Sequence, residues 1–152
     1  RVYSNRGVNG IDGVVSTAVG VAISSSVKTA LIIGDIAMLH DSNGLLNITK
    51  RDIEMKIVVI DNEGGGIFSF LPQSQLLEQS QFELLFGTPH EVDFEALANA
   101  HRVPFSWATT PRELRNLLDS PGTGVIGVRT NRAQNVADHN ELYAAVSSAL
   151  KN

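Results

Sequence analysis

Residues 30–35 read Ala-Leu-Ile-Ile-Gly-Asp, and residues 57–66 read Ile-Val-Val-Ile-Asp-Asn-Glu-Gly-Gly-Gly. Each stretch is a short apolar run without polar alternation, closed by glycine or an acidic residue. Such runs fit strands of a parallel sheet covered on both faces, since neither side meets water. Gly124-Val125-Ile126-Gly127-Val128 is a third run of this kind, and Pro104-Phe105-Ser106-Trp107 is a weaker fourth.

Helical patterns lie between these runs. Val14, Ala18, Val21 and Ala22 share a face after Asp12-Gly13. Phe94, Leu97, Ala98 and His101 follow Asp93, which suits an N-cap. Leu114, Leu117 and Leu118 follow Thr110-Pro111, with proline in the first turn. Leu142, Ala145, Val146, Ala149 and Leu150 form a C-terminal stripe. Gln73 to Gln81 reads as a loop or short helix after Pro72, and Asn131 to Asn140 as a second polar stretch. Val2-Tyr3 reads as the end of a strand. The alternation predicts one α/β domain over 1–152, with three layers: a mostly parallel sheet and helices on both faces.

Composition narrows the function. The formal net charge is −4 and no basic tract occurs, which excludes the usual nucleic-acid footprint. No apolar run approaches the length of a membrane span. With no cysteine, disulfides, thiolate metal sites and cysteine nucleophiles are excluded. No serine stands in a nucleophile-elbow pattern. The glycine fingerprint of a dinucleotide-binding first turn is missing too. These features fit a cytoplasmic protein. The opening Arg1 and the abrupt start suggest a C-terminal fragment of a longer polypeptide.

Parallel sheets bind ligands beyond the carboxyl ends of their strands. That rule selects Gly34-Asp35 and the Asp61–Gly66 turn. Taken alone, each reads equally as a plain turn. Together they say more, because Asp35 and Asn62 stand 27 positions apart and each follows an apolar strand with one helix-like segment between. If the strands are neighbours, a carboxylate, an amide oxygen and a turn carbonyl meet at one edge. Such hard oxygen donors suit magnesium, which is completed by phosphate oxygens and water. Backbone N–H groups where Ile36-Ala37-Met38 opens a helix could receive phosphate. His40, His90, His101 and His139 show no metal-ligand spacing, and His40 is expected to be structural.

This pattern resembles the magnesium and diphosphate signature of thiamine-diphosphate enzymes. The usual signature ends in two asparagines, and here Asp61 replaces the first. Ser4-Asn5-Arg6-Gly7, Gly10-Ile11-Asp12-Gly13, Leu39-His40-Asp41-Ser42-Asn43-Gly44-Leu45, Gly64 to Pro72 and Thr130-Asn131-Arg132 narrow the resemblance. Together they are similar to the 2-succinyl-5-enolpyruvyl-6-hydroxy-3-cyclohexene-1-carboxylate synthase family of menaquinone biosynthesis. The similarity runs from Val2 to the C-terminus and is most specific up to Pro72.

The resemblance implies the diphosphate-binding domain of a thiamine-diphosphate- and Mg2+-dependent transferase. It implies Asp35, Asn62 and the Gly64 carbonyl as metal ligands. Gly34, Asp35, Ile36, Ala37, Ile11, Asn62, Gly64, Gly65 and Ile67 are the implied cofactor contacts, with Ile11 holding the cofactor bent. Arg6, Ile67, Phe68 and Leu71 are the implied substrate contacts. The full-length enzyme implied here is a homodimer or homotetramer that decarboxylates 2-oxoglutarate and adds the resulting succinyl-semialdehyde carbanion equivalent to isochorismate. No catalytic residue is implied on this chain, because the activating glutamate belongs to the pyrimidine-binding domain of a second subunit. The chain alone is therefore expected to be inactive. Two alternatives stay open: another thiamine-diphosphate enzyme, of acetolactate synthase or 2-ketoacid decarboxylase type, and a non-catalytic binding module.

Overall fold

The computed structural model describes residues 1–5, 10–25, 27–51 and 53–151. Contacts divide the chain into two compact units, 1–61 with 91–129 and 62–90 with 130–152.

The first unit is built on four parallel strands, β1 (Thr29–Gly34), β2 (Met55–Asp61), β3 (Phe105–Trp107) and β4 (Gly124–Arg129), in the order β1-β2-β4-β3. Thr29 pairs with Met55 and Gly34 with Ile60, so the first two apolar runs are neighbours in register. Asp61 pairs with Arg129 across the other side of β2. For β2 and most of β4 the unbroken apolar run has the expected reason, since both faces are covered; β1 departs from it, being an edge strand with Ala30 and Ile32 on an exposed face, Ile32 at 74%.

On one face lie α1 (Val14–Ser24), α2 (Asp35–His40), α3 (Leu46–Thr49) and α6 (Phe94–Ala100). Val15, Val19, Met38, Leu45, Ile48 and Phe94 there pack with Ile33, Ile57, Val59 and Val125. On the opposite face, α7 (Pro111–Asp119) sets Leu114, Leu117 and Leu118 against Val58 and Ile126. Burying side chains of this size contributes about 1.5–3 kcal/mol each, which is why the sheet centre is apolar.

The predicted cap at Asp93 forms, and the helix start read at Thr110-Pro111 proves to be capped as well. The Asp93 carboxylate accepts from the Ala96 N–H at 2.9 Å, and the Thr110 hydroxyl from the Glu113 N–H at 3.2 Å. Each satisfies an N–H that a helix start leaves open. Helix α1 starts differently, from Gly13 in a left-handed conformation (φ 64°).

The second unit is made of turns and one long helix. After a 3-10 turn (Gly66–Phe70) come α4 (Gln73–Leu76), α5 (Gln79–Phe82), a π turn (Glu83–Gly87) and α8 (Arg132–Ala149). The glutamine-rich segment thus forms two short helices.

One reading is extended and one expectation is corrected. The polar stretch 131–140 is helical: Asn131 caps α8 by accepting from the Gln134 N–H, and Gln134 bonds Asp138 one turn on. Polar residues with good helix propensity need no buried face to make a helix. The Leu142–Leu150 stripe accordingly stays exposed rather than buried. Val2-Tyr3 forms no strand among the described residues, since a strand exists only with a paired ladder and Val2 is 98% exposed.

Candidate functional site

The carboxyl edge of the sheet concentrates buried acid. Asp35 opens α2 directly after β1 and is 2% exposed; Asp61 ends β2 and is 6% exposed. Because β1 and β2 are paired neighbours, their carboxylate oxygens approach within 4.8 Å. Two buried carboxylates this close repel unless a cation stands between them, and oxygen donors of this kind suit a hard divalent ion. Asp35 also folds back on its own helix, accepting the Ile36 N–H at 2.7 Å. That N–H, expected to receive phosphate, is here engaged by the aspartate beside it.

Asn62 follows Asp61 along the chain and begins the second unit. Its side chain fits against Gly66, where a Cβ would meet the amide nitrogen at 2.7 Å. Its Oδ1 is buried. Gly64 is the position where side-chain absence matters most. Its φ of 141° disfavours any residue with a Cβ, and a Cβ there would meet the Gly87 carbonyl oxygen at 2.0 Å. The Gly65 N–H donates to that same carbonyl at 2.8 Å. The glycine turn is therefore seated on the 83–88 segment, which is itself fastened: the Thr88 N–H donates to the Glu83 carbonyl, and Arg132 Nη2 reaches Glu83 Oε2 at 2.8 Å.

The other expected residues divide clearly. Gly34 is exposed at the end of β1, and Ile36 and Ala37 are half-buried at the start of α2. Ile11 is half-buried in the turn before α1. That turn is tied to the end of α2, because His40 Nδ1 lies 3.0 Å from Asp12 Oδ1. Alongside, Asp41 accepts from both the backbone and the hydroxyl of Ser16, at 2.7 and 2.9 Å. Gly65 is half-buried. Ile67, Phe68 and Leu71 are exposed at 74%, 39% and 41%, with Phe68 tilted against Phe86. Such exposed apolar groups are free to meet a ligand. Arg6 lies outside the described residues.

Sequence reasoning placed Asp61 in the turn after β2 but took it, as a residue, for a departure from the usual asparagine and not for part of an acidic edge. Its proximity to Asp35 assigns it to the same acidic edge. The available signal was an aspartate closing an apolar strand, which is costly to bury without a cation.

Comparison with known proteins shows the family. Residues 2–128 match the family model described as thiamine pyrophosphate enzyme, C-terminal TPP binding domain. The 2-succinyl-5-enolpyruvyl-6-hydroxy-3-cyclohexene-1-carboxylate synthase of Chloroflexus aurantiacus is 49% identical over 98% of the chain. The protein of the same name from Geobacillus kaustophilus is 45% identical over 99%. The chain spans about a quarter of the length of these relatives, 26% of each. Among solved structures, benzoylformate decarboxylase from Polynucleobacter necessarius aligns over 81% of this chain and 24% of its own, with TM-score 0.66 and 21% identity. The thiamine diphosphate-dependent 4-hydroxybenzoylformate decarboxylase of Rhodococcus jostii RHA1 aligns over 80% of this chain and 23% of its own, with TM-score 0.67 and 21% identity. At that identity these two structures establish the likeness of fold.

Proposed function

The chain belongs to the C-terminal thiamine-pyrophosphate-binding domain family of thiamine-pyrophosphate enzymes, and from that premise we propose that it is the diphosphate-binding part of a 2-succinyl-5-enolpyruvyl-6-hydroxy-3-cyclohexene-1-carboxylate synthase. The observation that carries this reading is the 49% and 45% identity, over nearly the whole chain, to relatives of that name. In this reading the full-length enzyme is a cytoplasmic homo-oligomer of menaquinone biosynthesis that joins 2-oxoglutarate, after loss of carbon dioxide, to isochorismate.

The residues present fit a magnesium ion and a diphosphate. Two buried carboxylates within 4.8 Å concentrate negative charge that a divalent cation would offset, and a glycine turn closed to any Cβ lets the backbone come close to a ligand. Asp35, Asn62 and the Gly64 carbonyl would hold the metal, with Asp61 adding negative charge beside Asp35. The Gly34–Ala37 turn and Gly65 would lie along the diphosphate. Ile11, stiff at its branched Cβ, would prop the cofactor's two rings together. Thiamine diphosphate, when bound, supplies the electron sink that lets a 2-oxoacid lose carbon dioxide.

This chain's own part is to bind, orient and exclude water. Arg6 would grip a substrate carboxylate through two parallel hydrogen bonds. Ile67, Phe68 and Leu71 would cover the reacting region with apolar surface, keeping water from the proton-sensitive carbon. The group that activates the cofactor would come from the pyrimidine-binding domain of a second subunit, so the chain by itself would turn over nothing.

The test is a titration of the full-length protein with thiamine diphosphate, with and without magnesium, followed by turnover of 2-oxoglutarate with isochorismate against pyruvate. Asp35→Ala is expected to weaken magnesium-dependent cofactor binding by about 100-fold or more, beyond what loss of an outer contact to a metal ligand costs. Undiminished binding in the variant would remove Asp35 from the metal site. A preference for pyruvate would reassign the enzyme to another thiamine-diphosphate type.

A further inference from the structure

The opposite edge of the sheet carries the reverse charge. A cleft of about 890 Å³ opens where β2, β3 and β4 begin, lined by Ile53, Val103, Pro104 and Thr123 at the strand starts. It is of the size that holds small ligands. Lys50, Arg51 and Arg102 also line it, and none of the three forms an ion pair among the described residues. Its one described acid, Glu54, lies 3.7 Å from Lys28 and is already matched. β2 is seven residues long, so about 20 Å of strand separates this cleft from Asp61.

Two further observations point to a ligand. His101 lines the cleft, and its Nδ1 is buried with no hydrogen-bond partner. A buried polar atom of this kind is costly unless something completes it. Its neighbour Arg102 ends α6 at φ 59°, the left-handed position that helix ends normally give to glycine. The backbone bonds of that end, Arg102 N–H to Asn99 and Val103 N–H to Ala98, would form equally with glycine. An arginine there places a positive charge at the mouth of the cleft at the expense of backbone strain.

We propose that this cleft binds a small oxyanion-bearing molecule, a phosphate or a dicarboxylate, with Lys50, Arg51 and Arg102 supplying charge and the His101 ring turning on binding to bring its buried, unpartnered Nδ1 to the ligand. Cationic side chains around a donor recognise oxyanions by charge-assisted hydrogen bonds, which are about twice as strong as neutral ones. The apolar strand-start residues would receive the body of the ligand. This site is separate from the diphosphate edge and does not depend on the identity of the enzyme.

The test uses the full-length protein saturated with thiamine diphosphate and magnesium, so that added phosphate cannot report on the diphosphate site. Inorganic phosphate is titrated calorimetrically in one arm and malonate in the other; the tighter arm identifies the source of the oxyanion. Saturable binding is expected in at least one arm. It should weaken tenfold or more in Lys50→Ala/Arg51→Ala, whose wild-type side chains are exposed and whose loss leaves the core intact. Arg102→Gly should also weaken binding while raising the melting temperature, because glycine accepts the left-handed backbone. On nitrogen-15-labelled protein, the His101 Nδ1 resonance should shift when the anion is added. Absence of saturable binding in both arms would overturn the proposal, as would unchanged affinity in the double variant or an unmoved His101 nitrogen.

Discussion

Residues Met55 to Val59 of β2 are all buried, whereas the eighteen residues of α8 include none that is. The contrast extends to the whole of each unit. In the first, large apolar side chains close over both faces of a paired sheet. In the second, order depends on backbone bonds between the glycine turn and Gly87, on the Arg132–Glu83 pair, and on rings such as Phe82 stacked on Phe86. A region held by area burial tolerates exchange of one apolar residue for another. A region held by a few specific contacts loses its geometry when one of them goes.

The comparison can be broken or sharpened by substitution. Ile57 is fully buried at the centre of β2, so Ile57→Ala leaves a cavity and should cost about 2–5 kcal/mol. Denaturant unfolding of the full-length protein checks this; a loss below about 1 kcal/mol would mean that the sheet centre repacks freely. Next in size is Arg132→Met. It leaves the partly buried Glu83 carboxylate without its 2.8 Å partner and should cost about 1.5–3 kcal/mol, the range for hydrogen bonds to charged groups. Hydrogen exchange should then show faster loss at the Gly65 and Thr88 amides with no change in β2. Equal acceleration in both units would erase the distinction drawn between them.

Gly64→Ala should cost about 1–3 kcal/mol, the usual range for a residue forced into a sparsely populated backbone region. The effect should be read in cofactor affinity more than in global stability, since the turn and not the core is displaced. The smallest effects belong to the cap of α7. Thr110→Ala should cost about 1 kcal/mol, as measured by thermal unfolding. In the same turn, the Thr109 hydroxyl and N–H donate to Glu113 and hold its carboxyl below the ordinary 4.5. A lowered folded-state value means this contribution is present above 4.5 and fades as pH falls through the folded value. Thr109→Val should therefore lower stability slightly at neutral pH, with the difference from the wild type disappearing well below 4.5, as thermal unfolding across that range would show.

Much of the site was legible because its residues end strands whose type was legible. Asp35 and Asp61 each close an unbroken apolar run, so their place at the carboxyl edge followed once the runs were read as parallel strands. The caps at Asp93 and Thr110 were legible because capping is local: side chain and N–H lie three residues apart. The helical content of 131–140 was missed for the complementary reason. Burial periodicity was the signal sought, and an exposed helix carries none. His101 and Arg102 were read only as part of a helical stretch, because nothing local shows that Lys50 and Arg51 come to the same cleft.

The sequence by itself determined the parallel α/β class, the strand ends and the candidate metal-binding residues, since apolar runs and turn chemistry are properties of neighbours along the chain. The family resemblance was equally a sequence property. Only the tertiary structure decided that Asp61 stands with Asp35, that Gly87 is the residue Gly64 must not touch, and that cations from two distant segments line one cleft. Those are approaches between residues distant in sequence. They are set by strand register and packing, which fix distances that no local pattern encodes.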